Sequence, residues 1–263
     1  MSDYKFDTFY YSKDKSNEHN LAEIETLDDN AYVETYKGKI YCPYCKVPQL
    51  SLVKKNGISF LRTYPNQMHS TVNGKMCPYT FDTASNSTMK RYIEELRARN
   101  RIQSMLEAVM RKLLMPKVPK DVFPQEDKEF EEPLLISRTQ PNKTVTKNII
   151  PHYSFKSWGK NIPQDRLLIV YGKVYIELHE VEKKKDDNNE GKVTYIHFKD
   201  KETKKLITSC LKIDHIEIHD GEYYVTALGR CEARTDQNQK HTYYNLLINS
   251  PDEPSILFKP VPS

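Results

Sequence analysis

The stretch that decides the amino-terminal fold spans residues 42–77 and reads CPYCKVPQLSLVKKNGISFLRTYPNQMHSTVNGKMC. It begins with two cysteines separated by two residues, and a histidine and a third cysteine follow toward its end. A Cys-x-x-Cys turn directs two sulfurs at one cation, and two donors from a second turn complete a tetrahedron. The spacing therefore predicts a structural Zn²⁺ site whose ligands are Cys42, Cys45, His69 and Cys77.

Four protein ligands leave no open coordination position, so the predicted metal stabilises the fold and has no catalytic role. Between the donors, residues 50–53 and 58–61 have strand-like sequences on either side of Asn56-Gly57. Because Asn-Gly is the preferred pair for a two-residue hairpin turn, a β-hairpin is expected there.

Residues 42–77 resemble the amino-terminal zinc-finger segment of the competence CoiA-like family, with its paired cysteines, short hairpin, histidine and later cysteine. The family's finger has a histidine-aromatic-any-histidine motif where this chain has Pro65-Asn66-Gln67-Met68-His69. The sequence lacks the carboxylate and lysine cluster of that family's nuclease-like domain. The resemblance therefore implies a finger and nothing beyond it.

The tetrapeptide CPYC is also similar to the active-site motif of glutaredoxins. That similarity implies a thiol-disulfide oxidoreductase in which Cys42 is the nucleophile and Cys45 resolves the mixed disulfide. Pro48 and the strand-like run QLSLV oppose it, because a helix should begin at such a motif. A third interpretation leaves the cysteines unligated.

Charge along the chain is segregated, although the net charge of the 263 residues is only +4. Residues 41–120 hold 14 Lys and Arg against 4 Asp and Glu, whereas residues 1–40 hold 5 against 9 and residues 121–133 hold 1 against 6. A basic block of this kind favours an anionic partner such as nucleic acid. The alternative is a solvated face neutralised by the protein's own acidic segments.

The sequence has no apolar run suited to a signal peptide or to a membrane span of about 20 residues. Its five cysteines, three of them clustered, indicate a reducing compartment and a metal site. We therefore expect an intracellular, cytoplasmic protein that is not secreted and has no membrane partner. Cys210 and Cys231 are interpreted as ordinary strand residues.

The predicted fold class is α+β, with a small zinc-finger and hairpin module, a long basic helix and a mainly antiparallel, OB-like β-barrel. Apolar residues at helical spacing predict the helix over residues 87–115, with a kink or a change of buried face where RARNR interrupts the pattern. Four segments follow: a loosely ordered acidic arm (1–38), the finger with the helix (39–115), a proline-rich acidic linker with one strand near residues 134–136 (116–165), and the β domain (166–259).

Alternating apolar residues indicate at least five strands in the last segment. Three such sets are Val174, Ile176 and Leu178, then Ile196 and Phe198, then Ile207, Leu211 and Ile213, with a phase change before Ile216 that suggests a bulge. Short strands joined by polar loops and without long helices resemble the OB-fold in architecture. OB-folds bind single strands through stacking aromatic rings and cations that follow the phosphates.

The chain has 18 tyrosines, several of them beside basic residues in the predicted β domain. The sequence therefore predicts a zinc-containing protein, not expected to be an enzyme, that binds single-stranded DNA or RNA. The candidate contacts are Arg91, Arg97, Arg99, Arg101, Lys112, Lys173, Tyr175, Tyr195, Tyr224, Arg230, Arg234 and Tyr243.

Two other classes stay open. One is a protein-interaction adaptor of a larger nucleic-acid or defence machine, in which the positive block docks an acidic partner. The other is an enzyme, either the CPYC oxidoreductase or a metal-dependent nuclease. The residues that raise the nuclease are His179, His197, Asp214, His215, His219 and Asp220, although their spacing matches no known ligand motif.

Overall fold

The computed structural model describes residues 6–72, 74–114, 132–139, 145–183, 191–212, 216–235, 242–248 and 255–262. The chain forms two compact units. The first comprises Met1–Ser85 and Leu134–Ser157, and the second comprises Asn86–Pro133 and Trp158–Ser263. Both units combine helices with strands, so the predicted α+β class is confirmed.

The first unit contains four small sets of paired strands. Its elements are β1 (Thr8–Tyr11), β2 (Asp14–Asn20), α1 (Leu21–Ile24), α2 (Asp29–Thr35), β3 (Ile40–Tyr41), β4 (Leu50–Lys55), β5 (Ile58–Thr63), β6 (Thr71–Val72), β7 (Lys75–Met76), β8 (Asp82–Thr83), β9 (Leu135–Thr139), β10 (Val145–Ile149) and β11 (His152–Ser154). Strands pair in the orders β2-β1-β3 and β8-β10-β9, and as the hairpins β4-β5 and β6-β7.

The segment expected to be a loosely ordered arm is folded over residues 6–38, and it contributes Phe9 and Ile24 to a buried cluster. Helix α1 begins with a capping box, in which the Asn20 side chain accepts from the backbone of Ala22 and Glu23 accepts from the backbone of Asn20. Such a cap satisfies helix donors that would otherwise be unpaired. The prediction of loose order was wrong for these residues because Phe6, Phe9, Leu21 and Ile24 are buried in the core of the first unit.

The predicted hairpin is confirmed, since β4 and β5 pair from Leu50 and Thr63 down to Lys55 and Ile58. Asn56 and Gly57 both have positive φ, 51° and 74°. This is the backbone that a type I′ two-residue turn requires. The turn residues therefore determined the register.

The predicted linker is divided. Residues 116–131 and 140–144 lie outside the described part of the chain, whereas β9 and β10 form a sheet with β8 in the first unit. The predicted strand near residues 134–136 corresponds to β9. The unit boundaries therefore differ from the predicted ones, because a segment of linker-like composition returns to the first unit and pairs with it.

In place of one long basic helix the second unit has two, α3 (Asn86–Ala98) and α4 (Ile102–Leu114). Asn100 has φ 54°, and the backbone N–H of Arg101 donates to the carbonyl of Leu96 at 2.9 Å. A left-handed residue followed by such a bond is a Schellman ending. The interruption at RARNR is therefore a helix terminus, and the prediction of a single helix was wrong.

The second unit also contains one curled antiparallel sheet. Its strands are β12 (Leu168–Lys183), β13 (Gly191–Lys199), β14 (Leu206–Leu211), β15 (Gly221–Thr235), β16 (Thr242–Ile248) and β17 (Ile256–Pro260). The order is β14-β13-β12-β15-β16, and β17 also pairs with β15. The sheet curls enough for Thr208 Oγ1 on β14 to donate to the carbonyl of Tyr244 on β16 at 2.7 Å.

The concave face of this sheet is its core, with Val174, Ile176, Ile196 and Phe198 buried as their alternation predicted. The prediction of which β14 residues point into the core was wrong. Thr208 and Cys210 are buried, whereas Leu211 is 56% exposed. The pairing of β14 with β13, which has a register shift at Phe198/Lys199, decides which residues point inward.

Candidate metal centre and outer sheet face

The first two donors of the candidate metal centre lie in a tight turn directly after β3. The backbone N–H of Cys42 donates to the carbonyl of Pro48 at 2.9 Å, and the N–H of Lys46 donates to the carbonyl of Cys42 at 3.0 Å. Lys46 has φ 57°, which closes the turn in the left-handed region. The backbone N–H of Cys45 also bonds the Cys42 sulfur. The turn therefore holds the sulfurs of Cys42 and Cys45 on the same side of the backbone.

The other two donors come from the far end of the same stretch. His69 lies in the loop after β5, and Cys77 lies between β7 and a 3₁₀ turn at Pro78–Thr80. The imidazole of His69 stacks near the ring of Phe6, with centroids 6.1 Å apart. Its Nδ1 faces the sulfurs, at 3.4 Å from Cys45 and 3.3 Å from Cys77.

The donor atoms of Cys42, Cys45, His69 and Cys77 all lie within 4.8 Å of one another. The sulfurs of Cys42 and Cys77 are 3.8 Å apart. A tetrahedron with Zn–S near 2.3 Å and Zn–N near 2.05 Å has S···S edges of about 3.8 Å and S···N edges of about 3.6 Å. The three separations of 3.8, 3.4 and 3.3 Å are close to those edges, so the four residues can hold one metal ion, as their spacing predicted.

The three sulfurs are buried in the main apolar cluster of the first unit, together with Leu50, Leu61 and Ile149. Burial raises the pKa of the Cys42 thiol well above its ordinary value, and the neighbouring Cys77 raises it further. A bound cation would displace the thiol protons. An oxidoreductase nucleophile instead needs an accessible thiol of low pKa at a helix N-terminus. No helix begins at Cys42, so the geometry does not favour that alternative.

Tyr79, two residues after the last donor, connects the centre to a buried histidine that the sequence analysis missed. Its ring stacks on Phe6 with centroids 4.7 Å apart, and its hydroxyl lies 2.9 Å from His152 Nε2. His152 Nδ1 lies 2.7 Å from the carbonyl of Ile150, so this nitrogen carries the proton and Nε2 accepts from the tyrosine. Burial lowers the pKa of His152 to about 4.

This histidine gives a prediction for stability against pH. The folded pKa lies below the ordinary value of 6.5, so the unfolded chain binds more protons between those two values. The contribution of His152 to the free energy of unfolding is fully present above pH 6.5 and is lost as the pH falls toward 4. The total loss is about 3 kcal/mol. Denaturant unfolding of wild type and His152→Leu between pH 4 and 7 measures it. Metal loss in acid affects both proteins, so the difference isolates His152, and parallel pH profiles would contradict the prediction.

The strand-borne candidates for nucleic-acid contact share the outer, convex face of the sheet. Directly opposed residues of antiparallel strands point to the same side. Lys173 lies opposite Tyr224, and Tyr243 lies opposite Arg234. Extending the two-residue alternation from these pairs places on that face Lys173, Tyr175, Tyr195, Tyr224, Arg230, Arg234 and Tyr243.

One of these residues is inaccessible. Tyr224 is buried at 6% exposure, in a cluster with Tyr171 and with Met110 and Leu114 of α4. Helix α4 covers this part of the outer face, so Tyr224 is a packing residue and its proposed stacking role is withdrawn. Tyr175 and Tyr195 are half-buried, and Tyr243 is 52% exposed.

Several candidate cations lie beside carboxylates of the same unit. Lys173 Nζ is 2.8 Å from Glu222, and Arg234 Nε is 2.6 Å from Glu232. The other two pairs, each at 3.3 Å, are Arg91 with Glu95 and Lys112 with Glu132. An exposed ion pair such as Arg91–Glu95 stabilises by only about 0–1 kcal/mol, so a phosphate can replace that carboxylate at little cost.

The remaining candidate arginines lie around the break between the helices and on β15. Arg97 and Arg99 are exposed, whereas Arg101 and Arg230 are half-buried. Of the histidines and aspartates considered for a nuclease, Asp214 and His215 lie outside the described residues. Within the described ranges, the only group of three or more metal donors is the Cys/His centre.

Comparisons with protein-family models, curated proteins and solved structures give no significant match. None of the described helices combines the length and apolar character needed to cross a membrane.

Proposed function

We propose that this chain is a structural-zinc protein that binds single-stranded nucleic acid across the outer face of its curled, OB-like sheet. The observation that supports the proposal most is the shared placement of the exposed Tyr243 and the half-buried Tyr175 and Tyr195 with basic residues on one face. The accessible parts of such rings offer stacking surfaces to unpaired bases, and adjacent cations offer contacts to phosphates.

The zinc in this proposal is structural. Three thiolates and one imidazole are typical zinc donors, and four protein ligands leave no position for a substrate or a reactive water. The sulfurs are buried among apolar side chains, which also excludes substrate from the ion. The residues that hold it are Cys42, Cys45, His69 and Cys77.

Electrostatic affinity in this proposal comes from two sources in the second unit. One is the outer sheet face with Lys173, Arg230 and Arg234, and the other is the arginine-rich end of α3 with Arg97 and Arg99. Because the sheet cations are partly neutralised by carboxylates, binding should be moderate at physiological salt and strong only at low salt.

Fluorescence anisotropy with labelled oligo-dT and oligo-U tests the proposal. We expect affinity to fall steeply with salt, because phosphate binding releases counterions. Tyr243→Ala and Tyr195→Ala should each weaken binding about 5- to 150-fold, since stacking contributes about 1–3 kcal/mol per base. Arg234→Gln should reduce the salt slope by about 0.7.

Tyr64→Ala is the matched control, because this half-exposed tyrosine belongs to the first unit. It should leave affinity unchanged. Absence of binding at low salt, or equal weakening by the control and the sheet variants, would rule the proposal out.

A protein-interaction adaptor is the second candidate, supported by an apolar cavity beside the Cys42 turn. The cavity has a volume of about 300 Å³ and is lined by Tyr41, Val47, Pro48, Gln49, Gln67 and Met68. Met68 is 86% exposed and Val47 is 51% exposed. This cavity becomes the better candidate surface if oligonucleotides fail to bind, the wild-type chain self-associates, and Met68→Asp increases its solubility.

A further inference from the structure

We infer that His179 and His197 form a second metal site, one that binds a single divalent transition-metal ion such as Ni²⁺ or Cu²⁺ at the solvent-exposed face of the sheet. The inference does not rest on the nucleic-acid proposal, although His179 lies directly opposite Tyr195 on the same face of the sheet.

The register of β12 and β13 brings the two imidazoles together. His179 lies opposite Tyr195, and Glu177 lies opposite His197, so the histidines are diagonal neighbours on one face. Their ring centroids are 4.9 Å apart and their planes differ by 22°. Diagonal side chains of adjacent strands are within mutual reach when they are long or aromatic. Small rotations of the rings can direct one nitrogen from each at the same ion.

The lowered pKa of His197 favours metal binding by this residue. The pKa of His197 is lowered by partial burial and by the adjacent His179. A neutral imidazole keeps the lone pair that a metal ligand must offer. Carboxylates nearby already have cationic partners, since Glu177 pairs with Lys199 at 2.6 Å and Glu180 pairs with Lys192 at 3.5 Å.

The site therefore differs in kind from the Cys/His centre. Two imidazoles suit borderline cations such as Ni²⁺, Cu²⁺ and Zn²⁺, and of these three Cu²⁺ binds most tightly. The pair offers no thiolate. His179 is exposed, so an ion reaches the pair directly from solvent. With only two protein donors, the remaining coordination positions are open to water or to an anionic ligand.

Calorimetric titration of the zinc-loaded full chain with NiCl₂ tests the site. We expect one Ni²⁺ per chain, with affinity reduced at least about tenfold in His179→Gln and in His197→Gln, because loss of even an outer-shell partner weakens metal binding 10- to 100-fold. The control is His219→Gln, an exposed histidine outside the stacked pair, which should keep wild-type affinity. Nitrogen hyperfine splitting in the electron paramagnetic resonance spectrum of the Cu²⁺ form should count two imidazoles.

The inference is overturned if His179→Gln or His197→Gln binds Ni²⁺ as tightly as the wild-type protein does. A spectrum with one imidazole nitrogen overturns it as well. Zinc content measured in the same samples should stay at one per chain in all four proteins, which separates loss of this site from damage to the Cys/His centre.

Discussion

Removal of the metal from the Cys/His centre should unfold the first unit. Apparent zinc-binding free energies in finger peptides are about 10–16 kcal/mol, which is as large as the total stability of a typical domain, about 5–15 kcal/mol. Here the three sulfurs lie inside the apolar cluster, so loss of the ion removes the bonds that join the four donors within this core. Chelation should therefore abolish the cooperative melting of this unit and leave that of the second.

Cys77→Ser should have the same effect as chelation, because it removes one of the four ligands and leaves a coordination position open to water. The matched control is Cys210→Ser, since Cys210 is also buried but lies on β14 of the other unit. Zinc stoichiometry by mass spectrometry and melting by circular dichroism separate the two variants: the first should lose zinc, and the second should retain one per chain. Full zinc content and an unchanged melting profile in Cys77→Ser would show that the centre is not a structural site.

Gly229→Ala should destabilise the second unit strongly. A Cβ added at Gly229 would lie 2.4 Å from the backbone carbonyl oxygen of Leu247 and 3.0 Å from the side chain of Leu246. Gly229 pairs with Leu168 on one side and Ile248 on the other, so β15 cannot move away without breaking a ladder. Overpacking of this kind costs about 1–3 kcal/mol and sometimes more, and a clash with backbone belongs at the upper end.

Gly57→Ala is the control for Gly229→Ala, because a Cβ at Gly57 meets nothing within 4 Å. Its cost comes only from the positive φ of the turn, about 1–2 kcal/mol. Urea unfolding of both variants gives the comparison. A loss for Gly229→Ala no larger than that for Gly57→Ala would mean that β16 relaxes away from β15.

Local features of the sequence predicted several elements correctly. The spacing of Cys42, Cys45, His69 and Cys77 predicted a cluster that the structure brings within 4.8 Å. Asn56-Gly57 predicted the hairpin because both positions need positive φ, and two-residue alternation predicted β12 and β13. In each case the physical cause acts over a few neighbouring residues.

Features that depend on distant partners were predicted incorrectly or not at all. The linker-like composition around β9 and β10 gave no indication that these strands pair with β8, and Tyr224 looked like a surface ring although α4 covers it. The Tyr79–His152 pair joins residues 73 positions apart. The inward-facing residues of β14 follow its pairing with β13, including a register shift, and not its own apolar pattern.

The donor set of the candidate metal centre and the turn that aligns β4 with β5 were predictable from the sequence, because covalent spacing and backbone conformational preference are local properties. The tertiary structure alone decided that the amino-terminal strands and β9 to β11 belong to one unit with the centre, which tyrosines of the sheet face solvent, and that His179 and His197 meet. Those outcomes depend on strand register and on which apolar surfaces bury each other, and both are settled only when segments far apart in sequence come together.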